Sequence, residues 1–123
     1  MSTLVLSPLN KTWLLDLDGT LVKHNGYKEG GDALLEGVTD FFEQIGRDDR
    51  VIIITSRGSE YRQETVDFLN KHNIRFDNIL FDMPMGERIL INDRKPSGLD
   101  MAHALNKDRD APLNARIEIR YEL

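Results

Sequence analysis

The sequence predicts an α/β fold, with helices flanking a mostly parallel sheet, and three observations carry that prediction. Thr12 to Asp18 is an apolar run that ends in acids, and Val51-Ile52-Ile53-Ile54-Thr55 is a continuous β-branched run bounded by charged or small residues. Both read as strands buried on two faces. Between them Leu34, Val38, Phe41, Phe42 and Ile45 recur at spacings of three and four, the stripe of an amphipathic helix, with Gly46 as its stop. Strand, helix and strand in this order form a right-handed βαβ unit, so the two strands pair in parallel.

The pattern then repeats. Tyr61, Thr65, Phe68 and Leu69 give a second helical stripe, Asn78 to Phe81 a third strand and Arg88 to Asn92 a fourth. Only Asp82 to Glu87 links those last two strands, which is too short for an ordinary crossover helix. They either pair antiparallel or share an unusually tight link. Ser97-Gly98-Leu99-Asp100 has capping-box spacing and opens a third helix through Leu105. Arg116 to Tyr121 alternates polar and apolar residues, as an edge strand does. No repeat, low-complexity tract or linker divides the 123 residues, so a single domain, 1–123, is expected. At this length folding buries roughly two-thirds of the surface the unfolded chain exposes.

With 40% hydrophobic and 30% charged residues, the composition is that of a globular protein. No apolar run approaches the ~20 residues of a transmembrane helix, so no membrane association is expected. Met1 to Leu9 has no basic residue ahead of its short apolar patch, so no secretory leader is expected and the cytoplasm is the expected compartment. The absence of cysteine excludes disulfides and thiolate metal sites. A net charge of -5 argues against nucleic acid as the main partner. A phosphate-ester substrate would then need positive charge supplied locally, most simply as a bound cation.

Asp16-Leu17-Asp18-Gly19-Thr20 closes the first strand. Side chains two apart on a strand share a face, so both carboxylates point into one space. Average composition produces D-x-D-G-T on the order of once per thousand chains of this length. Thr55-Ser56-Arg57-Gly58 ends the second strand, and Asn92-Asp93 ends the fourth. In an open parallel sheet the C-terminal strand ends form one rim, where ligands bind. Asp16, Asp18, Thr55 and Asp93 are therefore expected to converge there. Taken singly, Thr55 is a common strand-end hydroxyl and Asp93 a common turn former; beside the acidic pair they form a constellation.

This order of motifs, D-L-D-G-T, a hydrophobic strand ending in Thr and a strand ending in an acidic motif, resembles motifs one, two and four of the haloacid dehalogenase (HAD) superfamily, from Trp13 to about Asn106. The resemblance implies a Rossmann-like, HAD-like domain and a magnesium-dependent phosphatase. Asp16 is then the nucleophile and Asp18 the general acid and base. Mg2+ is held by Asp16, Asp93 and the main-chain carbonyl of Asp18, and Gly19, Thr55 and Ser56 meet the phosphate. The chemistry is coherent: a cation lets a carboxylate approach a phosphate dianion, an aspartyl-phosphate forms, and water hydrolyses it. Asp18 protonates the leaving oxygen and then deprotonates the water. Gly19 lets the chain turn so that main-chain N–H groups face the phosphoryl oxygens.

One departure stands out. The superfamily's third motif supplies Lys or Arg just before the fourth strand, and Asp82 to Glu87 contains neither. Arg88 would begin that strand, ~16 Å from its other end, and so is badly placed. Lys95 lies on the expected rim and takes the role in this reading, with Arg57 as the weaker candidate. Leu21 to Gly31, with the hairpin signal Asn25-Gly26 and with His24 and Tyr27, is similar to the superfamily's short flap, and nothing is long enough for a cap domain. So small a cover leads to the expectation of a homo-oligomer, with a second subunit walling the site through Arg116 to Tyr121 or Asp82 to Glu87, or else of a substrate large enough to shield the site itself, such as a phosphorylated macromolecule. Ile91 to Gly98 is similar to small proteins associated with capsular and surface polysaccharide biosynthesis, which suggests a phosphorylated sugar or sugar acid. Two alternatives are a catalytically impaired HAD-like binding module and a phospho-receiver signalling domain. Against the receiver, the acidic pair is followed by Gly-Thr and Asp82 comes after the Thr-bearing strand.

Overall fold

A computed structural model describes residues 2–123. The described chain is a small α/β domain with parallel strands in two open sheets and few helices. Strands β2 (Thr12–Asp16), β3 (Arg50–Ile54) and β4 (Asn78–Leu80) form the larger sheet in that order. Their register sets Leu15 beside Ile53 and Ile53 beside Ile79, so one apolar row crosses the sheet. Helices α1 (Val38–Glu43) and α2 (Arg62–Lys71) are the two crossovers. They bring Val38, Phe41 and Leu69 into the cluster that holds Val51, Ile53 and Ile79. Consecutive right-handed crossovers between adjacent strands put both helices on one face.

The other face stays open, which corrects the expectation of strands buried on both sides. Leu14 and Leu80, on the face opposite that row, are 48% and 40% exposed. The elements expected to cover this region do not form. Arg88 to Asn92 is not a strand and Ser97 to Leu105 is not a helix; from Pro84 to Asn106 every residue except Leu99 is exposed. A capping box lowers the cost of starting a helix, but most helical stability comes from packing an apolar face, and here that face meets nothing. β2 is accordingly an edge strand.

Strand β1 (Ser2–Leu6), which was not anticipated, pairs in parallel with β5 (Ala115–Ile119), Leu4 lying beside Ile117. The Gln44 side-chain amide bridges this sheet to the rest, donating to the Ala115 carbonyl at 2.9 Å and accepting from the Ile117 N–H at 2.8 Å. It meets the edge of β5 as a backbone amide would. Helix α1 is shorter than its periodicity suggested. Gly37 flanks it with φ 86°, and a Cβ there would collide with the Leu113 carbonyl, so the chain turns at Gly37 and the helix begins after it.

At the end of the sheet away from the Asp16 rim, Asp49 joins three elements. Its carboxylate accepts from Trp13 Nε1 at 2.9 Å, from the Lys11 N–H at 2.9 Å and from the Gly46 N–H at 3.1 Å. Burial opposes the charge, but these hydrogen bonds outweigh it and hold the Asp49 carboxyl below its ordinary range. A depressed folded-state pKa contributes stability that is fully present above the unfolded value and is lost as pH falls through the folded one. Denaturant unfolding should therefore lose stability from about pH 4 downward, and Asp49→Asn should flatten that slope. Equal acid slopes for the two proteins would remove Asp49 from the account.

Candidate active site at the C-terminal rim

The register Asp16 to Ile54 to Leu80 aligns the three strand ends, and the Thr55 N–H donates to the Leu80 carbonyl at 2.9 Å. Asp16, Asp18, Thr55 and Arg57 therefore share one rim, as the strand order requires. The turn after Asp16 is tight: the Leu17 carbonyl accepts from the N–H groups of Thr20, Leu21 and Val22. Gly19 has φ 82°, a value glycine adopts without strain. Its N–H donates inward to the Val22 carbonyl at 2.7 Å, so it does not face a ligand as expected.

Asp16 is 37% exposed at the side chain and ends β2. One oxygen accepts from Thr20 Oγ1 at 2.9 Å and the other from Arg88 Nη1 at 3.0 Å. Arg88 is the residue sequence reasoning discarded, and the reason is geometric. A parallel strand from Arg88 to Asn92 ending on this rim would have put Arg88 at the opposite end of the sheet. Because that strand is absent, Arg88 reaches Asp16 directly. The signal was the cation next to the empty third-motif position.

Asp18 is held differently. Arg57 donates to it twice, Nε to Oδ2 at 3.0 Å and Nη2 to Oδ1 at 2.9 Å, a bidentate pair. Arg57 also donates to both oxygens of Asp32, at 3.0 and 2.6 Å, and to Thr65 Oγ1 at 2.9 Å. A guanidinium has five N–H donors, and all five are used, which leaves none for a phosphate. Burial works against its charge, yet the bonds to Asp18 and Asp32 raise its pKa well above the ordinary arginine value. Thr55 is fully buried; its hydroxyl accepts from the Arg57 N–H at 3.1 Å and lies 3.5 Å from Asp18. Ser56 is exposed and its hydroxyl donates to the Pro84 carbonyl at 3.3 Å.

The remaining candidates make no bond to the rim residues. Asp93 and Lys95 sit in the exposed Pro84 to Asn106 stretch, where Asp93 accepts only from its neighbour Asn92 and Lys95 begins a turn closed by Gly98. With the fourth strand missing, nothing carries them to Asp16. Among the described residues no three His, Asp or Glu side chains are gathered so as to hold a metal ion. Both oxygens of Asp16 are occupied by side chains, and those of Asp18 face Arg57. Of the expected Mg2+ donors, Asp93 makes no bond to Asp16 or Asp18.

Two further groups close the rim, and neither was read from the sequence. Lys107 donates to the carbonyls of Gly19, Asp108 and Ala111, clamping the turn after Asp18. Burial pushes its ammonium below the ordinary lysine value against the pull of Asp110, Asp108 and Asp16. Asp32 lies in the flap. The flap itself is a loop closed by Val22 and Leu34, with a 3-10 turn at Gly26–Lys28, where the Asn-Gly pair had suggested a tight hairpin. The Arg57 guanidinium carbon lies over the Tyr27 ring, 4.1 Å from its centroid, and Tyr27 packs edge-on against Tyr61.

Fold and site together define a small α/β domain whose parallel-strand rim carries two carboxylates, each held by its own arginine. No family model matches the chain, and neither the curated proteins nor the solved structures yield a match. No helix among the described residues is long and apolar enough to cross a membrane.

Proposed function

We propose that the chain is a phosphomonoester hydrolase with Asp16 as nucleophile, Asp18 as acid and base, and Arg88 as the cation that receives the phosphate. The supporting observation is the half-exposed Asp16 carboxylate at the end of β2 with the Arg88 guanidinium 3.0 Å away. A phosphate dianion is repelled by a carboxylate alone but is a better partner for a guanidinium than one carboxylate is. An arriving phosphate would draw Arg88 to its own oxygens and free Asp16 Oδ1 to attack phosphorus. The P–O bond to the leaving group breaks as the Asp16–phosphorus bond forms, and Asp18 supplies the proton the leaving oxygen needs. Asp18 then takes a proton from the water that attacks the aspartyl-phosphate. Asp18 Oδ1 keeps a lone pair beside its one bond to Arg57, so the clamp leaves room for that proton.

Magnesium dependence and a small phosphorylated sugar or sugar acid as substrate, in surface polysaccharide synthesis, belong to the same proposal on the strength of the sequence resemblance; a cytoplasmic place rests on the composition of the N-terminal residues and a homo-oligomeric state on the small flap. The test is a phosphate-release screen over sugar phosphates, nucleotides and phosphorylated amino acids, run with added magnesium and again with chelator. Release from a sugar phosphate that stops with chelator is the expected result. No release from any class would sink the hydrolase.

A second reading has an observation of its own. Asp93 sits among exposed residues with no bond to either rim carboxylate, and Arg57 is fully spent on Asp18, Asp32 and Thr65. A domain so arranged would bind phosphate esters through Arg88 without turning them over. Calorimetric titration with a sugar phosphate separates the two: saturable binding with no product favours the module.

A further inference from the structure

We propose that Arg57 is a positioning residue that locks the flap, residues 21–35, to Asp18, so that flap closure and the orientation of the Asp18 carboxylate are one event. This rests on the reading of Asp18 as the acid and base. The geometry has three parts. Arg57 sets the direction of Asp18, because the other side chain near it, Thr55, is 3.5 Å away and Arg57 makes two bonds of 3.0 Å or less. It anchors the flap twice, through Asp32 at its edge and Tyr27 on its face. It is itself fixed from α2 by Thr65 and is only 1% exposed at the side chain.

A guanidinium is planar and rigid, so its five donors cannot be satisfied independently. Moving the Asp32 edge rotates the edge that faces Asp18. The cluster also holds two carboxylates and one cation, so each carboxylate depends on the same charge. If the flap lifts, Tyr27 leaves the guanidinium face, water enters, and the electrostatic hold on Asp18 weakens. Arg57 thus links substrate access to the readiness of the acid.

The test uses the full chain without any substrate, so it stands apart from the question of turnover. Hydrogen exchange is followed at three flap amides whose bonds close the loop: Lys23 to the Ala33 carbonyl, Gly31 to Gly26, and Leu35 to Leu21. Asp32→Asn and Tyr27→Leu should each speed exchange at these amides by about tenfold while amides within β3 keep their wild-type rates. Tyr27→Leu changes no charge, yet it should also shift the carboxyl carbon resonance of Asp18, assigned from its loss in Asp18→Asn. With an active wild type, both variants should lose more in kcat than in KM. Fast flap exchange with an unmoved Asp18 resonance in Tyr27→Leu would overturn the coupling, as would wild-type flap exchange in Asp32→Asn. Absence of phosphate release from the wild type would instead refute the hydrolase, and the exchange and resonance measurements would still decide the coupling.

Discussion

Asp16→Asn is expected to lower phosphate release on the order of 10⁴-fold or more, the scale seen when a nucleophile is removed from a group of residues that act together. An amide oxygen is a poor nucleophile toward phosphorus, and the substitution also removes the charge that pairs with Arg88. The fold should survive. Asp16 is part-exposed, and the ion pair it loses is a surface pair worth about 0–1 kcal/mol. Thr20 Oγ1, now a donor to Asp16, can rotate to accept from the new amide, so no buried polar atom is stranded. The measurement is phosphate release by Asp16→Asn and wild type purified side by side, with thermal unfolding as the control. Wild-type turnover in a preparation free of contaminating phosphatase would exclude Asp16 as the nucleophile.

The same residue marks how far the sequence could be read. The rim of Asp16, Asp18, Thr55 and Arg57 follows from continuous apolar strands with polar ends, and β2, β3 and β4 form within a residue or two of where those runs predict. Local pattern fails where the outcome depends on a distant partner. Leu34 fits the helical stripe by spacing, but it bridges to Val22 and closes the flap. Ser2 to Leu6 is half exposed and carries only a brief apolar patch, and its partner Ala115 to Ile119 lies at the other end of the sequence. The Arg116 to Tyr121 alternation found a strand but not which neighbour it joins. Arg88 to Asn92 has the β-branched character of a strand and Ser97 to Leu105 the start signal of a helix, yet propensity is worth a few tenths of a kcal/mol per residue and yields to missing contacts. The error over Arg88 was inherited: once a fourth strand was assumed, the cation that touches Asp16 was placed on the wrong side of the sheet.

Arg88→Ala therefore carries the second large prediction. If Arg88 receives the phosphate and steadies the charge that develops as the P–O bond breaks, its loss should cost roughly 10²–10³ in kcat/KM, the range for removing a single preorganised donor to a developing anion. Arg88→Lys keeps the charge but loses the planar fork that can grip two phosphoryl oxygens, so it should recover only part of that loss. Stability should barely move, since Arg88 lies in an exposed stretch and its one ion pair is half-solvated. Lys95→Ala supplies the contrast. Lys95 makes no side-chain hydrogen bond or ion pair among the described residues, and its turn is tied to Gly98 and Leu99 rather than to the rim. Its removal should leave kcat/KM within a factor of about two, because an exposed charge with no partner on the rim is largely screened by solvent. Steady-state kinetics on all three variants decides the matter. A large defect in Lys95→Ala beside normal Arg88→Ala would show that the exposed stretch folds back to the rim during turnover, with Lys95 and Asp93 on it and the contact between Arg88 and Asp16 broken.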